Sequence, residues 1–217
     1  MDEIMIPDRR EERDISSFEK ALAYAIGEKK SRETTEKLLD RYGSFATVFS
    51  AGEGELSLAG DINISTALMI KLMAYISSRR ITDSFTFGED HDELELCEYI
   101  GALFLGLSVE TVYALFLDDK NRVIHTELIN EGTVNTSDVV PRKILECARR
   151  HKSNKIILAH NHPKGGISPS KDDIMTTGRL FNLFATVGVR LCAHYIVADG
   201  MVGRIESDML YDPDYKS

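Results

Sequence analysis

Apolar residues along the chain keep a helical period up to Leu107 and change to short strand-like runs after it. Between Ile15 and Ser78 the spacing predicts helices over Ser16–Ile26, Arg32–Arg41, Phe45–Ser50 and Ser65–Ser78. Ser31, followed by Glu33 and Thr34, reads as a helix cap, and Gly43 after Tyr42 as a stop. Residues 1–14 are charge-dense and predict an irregular lead-in, while Arg79–Glu89 is polar and mixed enough to be a linker. Asp90–Leu107 carries Leu96, Ile100, Leu103, Phe104 and Leu107 on one helical face.

Val112–Leu117 and Val123–Leu128 are strand-like runs separated by Asp118-Asp119-Lys120-Asn121, a hairpin signal. Pro141–His151 predicts a helix with proline in its first turn. Then follow a strand over Lys155–Asn161, a helix over Asp172–Thr186 and a strand over Arg190–Val197. Ala198-Asp199-Gly200 turns the chain into a last short strand, Met201–Ile205. The expected class is α/β or α+β with a mixed sheet, behind a small all-helical module, divided as residues 1–87 and 88–217.

Composition narrows this further. The chain has 217 residues, 43% of them hydrophobic, enough for two modest domains. No run approaches the roughly 18 apolar residues of a membrane span. The acidic start Met1-Asp2-Glu3 lacks the charged-then-apolar pattern of an export signal. Cys97, Cys147 and Cys192 lie far apart and read as reduced, mostly buried thiols, so a cytoplasmic location is expected. A net charge of −9 argues against a dominant nucleic-acid surface.

The chemistry concentrates around His160-Asn161-His162-Pro163. Two histidines two residues apart at the end of a strand present both imidazoles on one face. Gly165-Gly166-Ile167-Ser168-Pro169 breaks the strand, and Asp173 falls in the first turn of the next helix. Two neutral nitrogens and a carboxylate oxygen make a three-ligand zinc set with a fourth position left for water. Asp172 is the rival to Asp173, because adjacent helical residues diverge by about 100°. Catalysis also needs a base that is not a ligand. Glu110, just before the first strand, is the candidate, with Glu127 and Glu131 as competitors. Ser170 reads both as the cap of the next helix and as a hydroxyl to steady an oxyanion. Asn161 points across the sheet as a structural residue, His194 reads as a core or supporting histidine, and His91, His125 and His151 as surface residues.

Residues 110–210 resemble the RadC proteins, bacterial members of the JAB/MPN (JAMM) metalloprotease-like group. Glu110-Thr111-Val112-Tyr113-Ala114-Leu115-Phe116-Leu117-Asp118 is similar to the family's opening strand with its glutamate. Gly132-Thr133 and Pro141-Arg142-Lys143-Ile144 are similar to its Gly-Thr and Pro-Arg signatures. His160-Asn161-His162-Pro163 through Pro169-Ser170-Lys171-Asp172-Asp173 follows its signature loop without a gap. The resemblance implies His160, His162 and Asp173 as zinc ligands, Glu110 as general base and Ser170 as oxyanion helper. It also implies a cytidine-deaminase-like α/β/α core and hydrolysis of a peptide or isopeptide bond. Two departures stand out: Ala193 where the family has an aspartate before His194, and Val140 where it has a histidine before Pro-Arg.

Leu38-Leu39-Asp40-Arg41-Tyr42-Gly43-Ser44 and Glu55-Leu56-Ser57-Leu58 are similar to the family's helical half, which ends in a helix-hairpin-helix. Its phosphate-holding Gly-Ile-Gly turn reads Asp61-Ile62-Asn63 here. Residues 1–87 carry 12 Lys and Arg against 15 Asp and Glu, a net of 12 − 15 = −3. Both facts disfavour DNA and favour a packing or protein-interaction module.

The leading expectation is a zinc-dependent metallopeptidase or isopeptidase acting on a peptide or protein substrate. The alternative is a RadC-type DNA-repair or replication accessory protein without turnover. A third reading is zinc-dependent attack on a nucleic-acid phosphodiester or a base, and the missing Cys-x-x-Cys ligand pair argues against its deaminase form. The only other partner expected is a further copy of the same chain.

Overall fold

The computed structural model describes residues 11–132 and 139–206, the side chains of residues 11–13, 139 and 140 excepted. Thr133 and the residues after 206 therefore lie outside the described residues. The first part is five helices: α1 (Glu11–Ile26), α2 (Glu28–Tyr42), α3 (Phe45–Ser50), α4 (Glu53–Gly60) and α5 (Ile64–Ser84). They close on a core of their own around Phe18, Leu22, Leu38, Val48, Leu56 and Ile70.

Several boundaries differ from the sequence reading. The chain is already helical at Glu11, inside the expected lead-in. Helix α2 starts at Glu28, so Ser31 is not its cap. Ser31 is buried and its hydroxyl donates to the Glu28 carbonyl at 2.9 Å, the local backbone bond that makes serine ambiguous in sequence. Helix α4 was not predicted. Gly54 and Gly60 weaken its propensity, but Glu55 accepts from the Gly52 amide at 3.1 Å and Leu56 is fully buried. Helix α5 runs on to Ser84 and takes half of the expected linker.

The second part begins with α6 (Glu93–Phe104), closed at its start by reciprocal bonds between Asp92 and Glu95. Then follow β1 (Thr111–Leu117), β2 (Val123–Glu131), α7 (Val139–His151), β3 (Lys155–Asn161), α8 (Lys171–Thr186), β4 (Arg190–Ala198) and β5 (Met201–Arg204). The five strands form one mixed sheet in the order β2-β1-β3-β4-β5. Only the β3–β4 pair is parallel, joined through α8; the other pairs are antiparallel.

Strand alternation sorts the side chains onto two faces. Leu115, Leu117, Ile157, Ala159, Tyr195 and Val197 face α6. Ala114, Phe116, Ile156, Leu158 and Leu191 face α7 and α8, where Ile144, Ala148, Leu180 and Phe184 cover them. Both faces of β3 are buried, which accounts for its near-continuous apolar run.

The helical part is tied down beside the sheet. The Lys71 ammonium of α5 donates to the carbonyls of Phe49, Ala51 (3.0 Å) and Gly106 (2.8 Å). Gly106 has φ +85° and a side chain there would meet Ala74 at 3.1 Å, so this turn needs glycine to reach α5. No single helix among the described residues is long and apolar enough to cross a membrane.

Candidate metal centre

His160 and His162 stand at the end of β3, on the face that α8 covers. The β1–β3 register pairs Val112 with His160, and continuing it brings Glu110 opposite His162, on the same face. Asn161 points the other way and fixes this corner. Its Oδ1 accepts from Thr111 N at 2.8 Å and its Nδ2 donates to Val109 O at 3.2 Å. The backbone on both sides of Glu110 is thus held by one buried amide.

Asp173 enters from α8. Ser170 is the N-cap of that helix: its hydroxyl accepts from Asp173 N at 3.1 Å. In return Asp173 Oδ2 accepts from Ser170 N at 2.7 Å and from Ser170 Oγ at 2.6 Å. This reciprocal cap aims the carboxylate at the histidines. Asp172, one residue earlier, is exposed and outside the group.

Three donor groups meet as a result. His160 Nε2 is 3.0 Å from His162 Nε2 and 3.1 Å from Asp173 Oδ1, and His162 Nε2 is 3.3 Å from Asp173 Oδ2. Bonds of about 2.0–2.2 Å to zinc require donors roughly 3.3–3.5 Å apart, so the group needs only slight expansion.

The surrounding hydrogen bonds decide which nitrogens are free. Thr177 Oγ1 donates to the Asp173 carbonyl at 2.6 Å, so it accepts from His194 Nδ1–H at 2.6 Å. His194 Nε2 then accepts from His160 Nδ1–H at 2.9 Å, which leaves His160 Nε2 with its lone pair. His162 Nδ1–H donates to the Gly166 carbonyl at 2.8 Å, which frees its Nε2 as well. Two imidazole lone pairs 3.0 Å apart repel unless a cation lies between them. The chemistry of this donor set therefore fits a divalent metal ion.

Burial opposes ionisation of Asp173, but the close polar contacts of its carboxylate with His160, His162 and Ser170 outweigh it and hold the carboxyl well below the usual range. A proton on His162 Nε2 is the alternative to a cation there: the contact with Asp173 raises His162 against burial, with the charge of Glu110 adding to it. His194 is pushed down to about 3 by burial, then by the charge of His160, so it stays neutral and can accept from His160. It takes up the support that an aspartate at Ala193 does not supply.

Of the other residues weighed, Glu127 faces Ala114 and Glu131 faces Thr111 across β2, the strand at the sheet edge. Both lie one strand further from β3 than Glu110. Thr177 had no signal in the sequence, because a threonine one turn beyond Asp173 reads as ordinary helix. His91, His125 and His151 are half-buried rather than surface residues. His91 stacks on Phe85 at 4.1 Å, and His125 and His151 stack on each other at 3.8 Å. A shallow cleft runs beside His162 and Pro163, walled by Ala46 and Thr47 of α3, Phe104 of α6 and Asp199.

A mixed sheet with helices on both faces, carrying a His-x-His strand end and an aspartate from the next helix, defines a JAB-type fold. Residues 91–207 match the family model described as RadC-like JAB domain. The chain belongs to the RadC family. It is 32% identical over 175 residues to a UPF0758 protein of Vibrio atlanticus, covering 78% of this chain and 76% of that one. A UPF0758 protein of Finegoldia magna is 41% identical over 130 residues, 59% of this chain and 56% of its own length. A UPF0758 protein of Vibrio parahaemolyticus is 30% identical over 169 residues, 77% and 75% of the two chains.

Proposed function

We propose that this protein is a zinc-dependent hydrolase of the JAMM type, a cytoplasmic metallopeptidase or isopeptidase. The observation that carries the reading is two imidazole Nε2 atoms and one carboxylate closed to within hydrogen-bond distance, with Glu110 near enough for its charge to act on His162. His160, His162 and Asp173 would hold the ion. When bound, zinc supplies a Lewis acid that polarises a scissile carbonyl and acidifies water. Glu110 takes a proton from the attacking water and hands it to the leaving amine. Asn161 keeps Glu110 in place through the backbone of Val109 and Thr111. Ser170 turns its hydroxyl proton from Asp173 Oδ2 to the developing oxyanion.

We divide the chain at residues 87 and 88, into a helical module that flanks the cleft and a metal-binding unit. The alternative, a DNA-binding accessory protein, draws on the α4–turn–α5 hairpin, whose helices bend by 118°. At that turn Asp61 adopts a left-handed conformation and pairs with Lys37 at 3.9 Å. A carboxylate there repels phosphate, so a protein-facing role for the module is the stronger reading.

The test is Glu110→Gln against a panel of peptide and isopeptide substrates. Zinc content should be unchanged and cleavage lower by about 10²–10⁴-fold. Cleavage at the wild-type rate would remove Glu110 from the mechanism.

A further inference from the structure

A second set of metal-binding side chains lies on the other side of β1, where α7 crosses the edge strand. Cys147 and His151 are one helical turn apart and share the face of α7 that packs on the sheet. His125 and Glu127 alternate onto the facing side of β2. One donor atom each from His125, Cys147 and His151 lies within 4.8 Å of the other two. Glu127 Oε2 is 3.0 Å from His125 Nε2 and 3.9 Å from Cys147 Sγ.

We propose that His125, Cys147 and His151 form a second site for a borderline-soft divalent cation, zinc before others, with Glu127 as the fourth donor. The donor set is the first argument. A thiolate and a carboxylate neutralise a divalent charge, and two imidazoles complete a tetrahedron of the kind zinc takes in closed sites. The second argument is unspent bonding capacity. Among the described residues neither ring nitrogen of His151 has a hydrogen-bond partner, and the nearest acceptor to the Cys147 sulfur is Glu127 at 3.9 Å. The third is access: Cys147 is buried at 3%, while His125 and Glu127 are about one-third exposed at the sheet edge.

The charge states suit this. The His125 hydrogen bond holds Glu127 below its ordinary range, and burial with nearby positive charge keeps His151 neutral. The Cys147 thiol is raised by burial, so the cation must displace its proton. His125 and His151 stack at 3.8 Å with 13° between planes, and an ion must lie in both planes. To meet it His151, the last residue of α7, would have to tilt out of the stack. The bound ion would then pin the end of α7 to the sheet edge. The site stands apart from His160, His162 and Asp173 and does not depend on the hydrolase reading.

Cobalt(II) reports on it directly, because the first donor set has no sulfur. Apo full-length protein titrated with cobalt(II) should show a thiolate-to-cobalt charge-transfer band that is complete by two equivalents, one for each site. Cys147→Ser should abolish the band and Cys192→Ser should leave it. His151→Phe keeps an aromatic ring in the stack, so it should fold, and it should weaken the cobalt affinity of the band by roughly 100-fold or more. A titration of wild-type protein without the band overturns the site, as does a band that survives Cys147→Ser. If Cys147→Ser is unfolded by circular dichroism, His151→Phe decides: an unchanged band affinity overturns the proposal.

Discussion

His160 Nδ1 lies 2.9 Å from His194 Nε2, and through that bond a backbone carbonyl in α8 sets the tautomer of a histidine in β3. The carbonyl of Asp173 takes the Thr177 proton, Thr177 takes that of His194, and His194 takes that of His160. Breaking the relay at Thr177 should leave the donors in place and loosen their orientation. Thr177→Val is expected to weaken zinc binding by about 10–100-fold, read by competition with a chelating dye. Affinity equal to wild type would show that His160 is oriented without it.

Asn161 connects the metal-facing strand to the candidate base. Asn161→Ala leaves the Thr111 amide buried without its partner, at a cost of about 1–3 kcal/mol in urea unfolding. Zinc content should persist while cleavage falls with Glu110 displaced. Loss of zinc with activity retained would reverse the assignment.

Lys71 holds three carbonyls, two in the helical part and one in the turn after α6. Lys71→Met keeps the length of the side chain and removes the donors. Unfolding should shift by about 2–3 kcal/mol, with Phe49, Ala51 and Gly106 losing a charged partner together. An unchanged urea midpoint would mean that apolar packing alone joins the two parts.

Cys97 is fully buried between α6 and the sheet, and its thiol is pushed up to about 11 by burial and then by Glu93. The unfolded thiol ionises near its ordinary value of 9.0, so the folded state holds its proton to higher pH. Stability from this group is complete below pH 9 and is lost as the pH rises toward 11. At about 1.4 kcal/mol per tenfold change in proton affinity, the alkaline loss is up to roughly 2–3 kcal/mol. Cys97→Ala should flatten the fall of the urea midpoint over that range, and an identical slope would contradict it.

The donor set was legible because the chain keeps it within fourteen residues, on a strand end, a glycine loop and a helix start. The strands and α8 were legible for the same reason, since their periodicity is local. Glu110 separates from Glu127 and Glu131 through strand register, which places β2 at the edge. The bonds of Asn161, His194 and Lys71 join residues from 17 to 52 positions apart, so no local pattern could announce them. Helix α4 is not legible in the sequence because burial of Leu56 overrides its glycines. The Cys147-x-x-x-His151 spacing was readable on a helix, but its partner His125 comes from a strand that only the fold brings near.

The most direct test of the central claim is zinc by elemental analysis, in wild type purified without added metal or chelator and in His160→Ala and Asp173→Ala. Each substitution should lower the zinc content by about one ion per chain, whatever is held elsewhere in the protein. Equal zinc in all three proteins would contradict the metal centre and leave the accessory role as the better account.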